Sequence, residues 1–248
     1  MEAYYQTEVG KVRSHNEDNV ISVATLDNDY LLIVADGMGG HRAGEVASMI
    51  TTAYLADEFM KIKLNTKEEA IEWLHSSASI INDKIIKYSD DNPTTKGLGT
   101  TLVACVITSQ FTIMANIGDS SGYLVTRKEL VKITDDHTLV NMLVKAGELT
   151  KEEARFHPRR NILMKALGNS TGVDIDIFEI IEDYEGILLC SDGLTNMITE
   201  KEILTILKKE KDIKTAVNAL VTKANNRGGT DNISVAYYKR GEEDVRKG

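Results

Sequence analysis

Proline is scarce in this chain, with two in 248 residues, and no low-complexity tract or Gly/Ser linker interrupts it. That favours a single domain, expected over 1–240, followed by a charged tail at 241–248. Cysteine is equally sparse. Cys105 and Cys190 sit in apolar, strand-like runs and fit neither a metal knuckle nor a disulfide framework, which leaves buried free thiols. No apolar stretch approaches the roughly 20 residues that span a bilayer. The opening MEAYYQTEVGK lacks the apolar segment of a secretion signal, so the expectation is a cytoplasmic location with no membrane insertion. Positive charge is short too: 29 Lys and Arg against 38 Asp and Glu give a formal net charge of −9. This argues against a general nucleic-acid binder. An anionic substrate would have to be drawn in by a local positive feature, and bound cations would offset part of the acidic excess.

What the sequence does have is an apolar run ending in a carboxylate, three times over. LLIVADGMGG at 31–40 leads into Asp36, FTIMANIGDS at 111–120 into Asp119, and ILLCSDGL at 187–194 into Asp192. An interior run that meets a charge needs a reason, because an isolated buried carboxylate is costly. Any one Asp-Gly is best read as a turn. Three abutting apolar runs together point to a shared purpose.

The layout supports this. Strands are expected at about 3–8, 19–25, 30–35, 99–108, 111–117, 121–126, 176–182, 186–191 and 232–239, several joined by short turns such as TLDND and TSQ. Helices are expected over about 42–62, after Thr66, Thr150 and Thr199, each with a Glu three residues on, and over about 213–225 behind an Asp212 cap. Long helices come in pairs between groups of strands, which predicts antiparallel sheets with helices packed outside. In the first hairpin an antiparallel return brings Asp36 back beside Asp18. Asp192 ends a late strand, Asp231 begins the last one, and Asp119 closes another outgoing strand. Five carboxylates thereby gather at one rim.

An oxygen-only cluster suits hard cations: magnesium, manganese or calcium. Two cations bridged by a carboxylate could lower the pKa of a shared water for in-line attack on phosphorus. Gly37 and Gly193 are expected to let the backbone bend sharply after their aspartates, and the Gly37 carbonyl is itself a potential ligand. Arg13, in KVRSHNED, could grip two phosphate oxygens, although taken alone it reads as a solvated surface charge.

The ordered set RSHNEDN, VADGMGGHRAGEVAS, GLGTT, IGDSSGYL, SDGLTNM and GGTDNISV resembles the PPM-type (type 2C) metal-dependent serine/threonine protein phosphatases. The stretch 135–168, DDHTLVNMLVKAGELTKEEARFHPRRNILMKALG, is similar to the mobile flap of the bacterial branch. The resemblance runs from about residue 5 to 238. It implies an α+β fold, a four-layer αββα sandwich of two antiparallel sheets flanked by helix pairs. It also implies Mn2+ or Mg2+ as two core ions plus a third. By this resemblance Asp36 bridges the core pair, Asp192 and Asp231 complete one ion, and the Gly37 carbonyl serves the other. Asp119 with Asp192 holds the third. Asp18, or alternatively Glu17, orients metal-bound water, and Arg13 binds the substrate phosphate. The implied partners are phosphorylated proteins and a eukaryotic-type Ser/Thr kinase, with a monomer expected.

Two positions depart from the pattern. Met38 stands where animal members carry a histidine proposed as general acid, and Ser121 replaces the usual arginine of GDSR. His41 lies close in sequence but reads as structural. His75 reads as surface, and His15, His137 and His157 as loop or flap-flanking residues. Arg159 and Arg160 are candidates for attracting phosphopeptides. Two rival functions remain open from the residues alone: hydrolysis of small phosphoesters, and a cation-dependent signalling module without catalysis.

Overall fold

The computed structural model describes residues 2–39, 43–168 and 172–241. Five strands form the first sheet: β1 (Glu2–Glu8), β7 (Ser121–Val125), β8 (Leu130–Lys132), β10 (Gly186–Cys190) and β11 (Ile233–Lys239), in the order β1-β11-β10-β7-β8. The second runs β2 (Asp18–Ala24), β3 (Tyr30–Met38), β5 (Leu102–Ile107), β6 (Thr112–Ile117) and β9 (Asp176–Glu179), with the two-residue β4 (Gly99–Thr100) paired to the end of β3. All pairings are antiparallel.

Helices α1 (Ala43–Phe59) and α2 (Lys67–Asp91) cover the outer face of the second sheet. On the first sheet lie α6 (Glu200–Lys209) and α7 (Ile213–Asn226), behind the one-turn α5 (Asp192–Thr195). This is the expected four-layer sandwich. It explains why β3, β5, β6, β7 and β10 are buried almost end to end, since both of their faces are covered. Along β3, Leu31 and Ile33 face the helices, while Leu32 and Val34 face the opposite sheet with Cys105, Leu189 and Tyr238. Every one of these side chains is buried. Both cysteines are free and buried, and burial pushes their thiols upward.

Helix α1 turns Ala43, Gly44, Ala47, Ser48, Thr51 and Thr52 inward, so its axis lies close to the sheet. Ser48 Oγ donates to the Glu17 carbonyl at 2.6 Å, and Thr52 Oγ1 donates to Asn19 Oδ1 at 3.1 Å. These bonds fix the helix against the hairpin that carries Asp18 and Asp36.

Thr150 and Thr199 close complete capping boxes, whereas Thr66 makes half of one: it caps Glu69 N–H, but the Glu69 carboxylate turns to Asn65 N–H. The expected strand at 99–108 is broken at Thr101, and β8 was not anticipated. The segment 135–168 carries two short helices, α3 (Leu139–Lys145) and α4 (Lys151–Phe156). Among the described residues no helix is long and apolar enough to cross a membrane.

Candidate active site

The β2–β3 hairpin places Asp18 directly opposite Asp36. Asp18 is only 6 % exposed; its Oδ2 accepts from Ser191 Oγ at 2.7 Å, while its buried Oδ1 has no hydrogen-bond partner. Burial raises its pKa to about 7. Hydrogen bonds from Ser191 and Ser234 oppose the rise, and the charges of Asp192 and Asp231 add to it. The Asp36 carboxyl is pushed well above the ordinary range, first by burial and then by Asp18, Asp192, Asp119 and Asp231 in turn. Asp36 therefore feels the charges of the other four aspartates expected at that rim. Like charges brought together out of water call for a counter-charge.

The Asp36 main chain is held from the GLGTT segment. Thr100 Oγ1 and Thr101 N–H both donate to the Asp36 carbonyl at 2.9 Å, and Asp36 N–H donates to Thr101 Oγ1 at 2.9 Å. Gly37 follows within β3, and here the sequence expectation needs correcting. Neither Gly37 nor Gly193 has a positive φ, so neither needs the left-handed freedom of glycine. Both are sites of close approach. A Cβ on Gly37 would lie 2.2 Å from the Gly44 carbonyl oxygen, and one on Gly193 would lie 1.9 Å from that of Asn232.

Asp192 begins α5. Its Oδ2 accepts from Asn196 at 3.0 Å, and its buried Oδ1 has no partner. Burial raises its pKa to about 6, with Asp231 adding to the rise and Asn196 and Arg13 opposing it. Arg13 donates to Asp231 Oδ2 at 2.7 Å from a side chain that is 52 % exposed, so it is not the isolated solvated charge of the bland reading. The Arg13 loop is stitched to the start of β11 by Asn232, whose Nδ2 donates to the Val9 and His15 carbonyls and whose Oδ1 accepts from Glu17 N–H. The Glu17 carboxyl is raised by burial, with Gly44 N–H and Arg13 opposing.

Asp119 follows Gly118, whose φ of +107° and contact with Thr101 admit no side chain. Burial, Asp192 and Asp136 raise Asp119 to about 7, against its own backbone N–H and Lys132. Asp136, ion-paired to Lys132 at 2.7 Å, was not singled out from the sequence, nor were Ser191, Thr101 and Asn232. The DDH run and the residues flanking the aspartate motifs were the signals available. Met38 closes β3 opposite Gly99, and Ser121 is buried in β7 opposite Cys190. Arg159 and Arg160 are exposed, as is His75. His41 lies outside the described residues.

Among the described residues, no group of three or more His, Cys, Asp or Glu is arranged to hold an ion by itself. A hard cation here would take carboxylate oxygen and complete its shell with carbonyl oxygen and water. The two orphaned oxygens, Asp18 Oδ1 and Asp192 Oδ1, leave acceptor capacity for an ion or for the water it carries.

The sequence profile of one family, Protein phosphatase 2C, matches residues 7–228. The chain belongs to that family. The serine/threonine phosphatase stp of Listeria monocytogenes is 43% identical over 242 residues, 97% of this chain and 96% of the relative. Among solved structures, the serine/threonine phosphatase of S. agalactiae superposes with a TM-score of 0.91 at 38% identity, covering 96% of this chain and 99% of that one. The catalytic domain of the phosphatase PstP, in complex with two manganese ions, gives a TM-score of 0.81 at 33% identity, covering 95% and 96%. This enzyme is a protein serine/threonine phosphatase of the PPM type.

Proposed function

We propose that this phosphatase hydrolyses phosphoserine and phosphothreonine esters in proteins, using two divalent cations, Mn2+ or Mg2+, at the carboxylate rim and a third beside Asp119. The observation that carries this reading is the buried, mutually repelling carboxylate cluster with two oxygens left unpartnered. In this reading Asp36, Asp192, Asp231 and the Gly37 carbonyl would hold the core pair, Asp119 with Asp192 would hold the third, and Asp18 would orient water from behind. Such ions, when bound, lower the pKa of a shared water and offset the charge of the phosphate.

The chain's own part is to place the reactants. A guanidinium has five N–H donors, and one from Arg13 goes to Asp231, so donors remain for two oxygens of a phosphate dianion. Water attacks phosphorus as the ester P–O bond breaks, releasing the alcohol and inorganic phosphate. No phosphoenzyme is required, and neither thiol suits a nucleophile, since both are buried with their pKa raised. Met38 has no proton to give the leaving oxygen, so that proton comes from water. The phosphatase unit spans 1–240 with 135–168 as its flap. Its counterpart is a Ser/Thr kinase acting on the same proteins, and it works as a cytoplasmic monomer.

The test is turnover of a phosphothreonine peptide by chelator-treated protein, before and after Mn2+ or Mg2+ is restored. Activity is expected only with metal. Chelator-resistant turnover would sink the cation mechanism, and equal rates on sugar phosphates would shift the substrate class to small phosphoesters.

A further inference from the structure

His137 reads in sequence as a flap-flanking residue, yet it is buried, at 9 % exposure. Its Nδ1 accepts the Gly118 N–H at 3.1 Å. In a neutral ring the proton is then on Nε2, which lies 3.0 Å from Asp176 Oδ2 and donates to it. The main-chain N–H of His137 donates to the Gly118 carbonyl at 2.9 Å. Both polar backbone groups of Gly118 thus end on one residue, immediately before Asp119.

The same histidine ties the two ends of 135–168 together. Its carbonyl accepts Met164 N–H at 2.7 Å, and the next residue, Thr138, forms a β-bridge with Leu163. Asp176, beneath the ring, also receives Lys165 from the returning end at 3.2 Å. Asn116 adds a weaker tie, donating to the Gly118 carbonyl at 3.2 Å and to the Asp135 carbonyl at 2.9 Å. The turn that presents Asp119 and the root of the flap share one buried hydrogen-bond network.

We propose that His137 is a positioning residue: its imidazole fixes the Gly118–Asp119 turn against the flap root, so that the stance of the Asp119 carboxylate and the seating of the flap are set together. In its consequence for metal, the proposal rests on Asp119 serving the third cation.

The substitutions that test it are His137→Asn, His137→Gln and Asp119→Ala. An Asn side-chain oxygen reaches the place of Nδ1 and can still accept the Gly118 N–H, whereas a Gln side chain reaches toward Nε2 and serves only Asp176. Two readouts apply: hydrogen exchange of the Gly118 amide in metal-free protein by NMR, and Mn2+ titration by calorimetry. His137→Gln is expected to speed Gly118 exchange and to weaken one Mn2+ equivalent, each by about five- to tenfold, the worth of one buried hydrogen bond. His137→Asn should stay within about twofold of wild type on both, because it keeps that bond. Asp119→Ala should lose the same Mn2+ equivalent. If Asp119→Ala titrates like wild type, the third-cation reading fails, and Gly118 exchange still judges the His137 tie. Identical behaviour of the Asn and Gln variants, whether wild-type or equally impaired, overturns the proposal. Should the Gln variant not fold, the imidazole 15N spectrum of the wild type decides, since a proton on Nδ1 contradicts the tie.

Discussion

The carboxylate rim and the segment 135–168 beside it are built on opposite principles. At the rim, Asp18, Asp36, Asp119 and Asp192 are pressed together with raised pKa values, and their main chains are fixed by Thr100, Thr101, Ser191 and close-packed glycines. Within 135–168, α3 buries only Val140 and α4 buries nothing, while Phe156 is 85 % exposed. The rim is densely bonded and electrostatically costly; the two helices of 135–168 are lightly packed. A region with few buried contacts opens at low free energy, and a strained polar cluster persists only where the surrounding packing over-determines it.

Breaking the rim should have the largest effect. Asp36→Asn, Asp192→Asn and Asp231→Asn should each nearly abolish phosphopeptide turnover while far-UV circular dichroism stays native; near-normal rates at saturating Mn2+ in any one would remove it from the ligand set. Next comes Arg13→Ala. Loss of one charged contact is worth about 1.5–3 kcal/mol, roughly a 10- to 150-fold fall in kcat/KM. Arg13→Lys should recover only part of that, since an ammonium lacks the planar fork. Wild-type kinetics would return Arg13 to the role of a surface charge paired with Asp231.

The electrostatic cost of the rim can be read without catalysis. Asp18 and Asp119 at about 7 and Asp192 at about 6 all lie above the ordinary aspartate value, so the metal-free folded state holds more protons than the unfolded chain. The rim's contribution to stability is therefore fullest below the ordinary aspartate value and falls as pH rises from about 4 to about 7. Asp18→Asn should flatten part of this slope and stabilise the metal-free protein at pH 8, on the order of 2 kcal/mol. Added Mn2+ should narrow the gap between wild type and variant. Melts that do not vary between pH 4 and 8 would contradict a repelling cluster. The smallest effect belongs to the segment 135–168, the proposed flap: Thr150→Ala removes the capping box of α4 and should cost about 1 kcal/mol locally. Faster amide exchange confined to 151–156 would show it, and a drop in global melting temperature would mean the flap is coupled to the body more tightly than its packing implies.

Much of this was legible in the chain. Apolar runs ending in Asp36, Asp119 and Asp192 announced a buried edge bearing charge, and antiparallel pairing alone put Asp18 opposite Asp36, as the register has it. The caps at Thr150, Thr199 and Asp212 were readable because capping is a matter of local spacing. Contacts between distant segments were not readable. Gly37 and Gly193 looked like bends, but their reason is the backbone of Gly44 and Asn232 lying against them, and no local pattern encodes what another segment will bring. Likewise, Ser191 meets Asp18 across 173 positions, Arg13 meets Asp231 across 218, and His137 is turned from an unremarkable loop residue into a buried link by Gly118 and Asp176. The sequence by itself determined which residues were charged, which were apolar and in what period, and hence the sheets, the helices and the residues at their ends. Only the tertiary structure decided which of those ends meet, because desolvation and like-charge repulsion arise only once strands far apart in the chain are packed edge to edge.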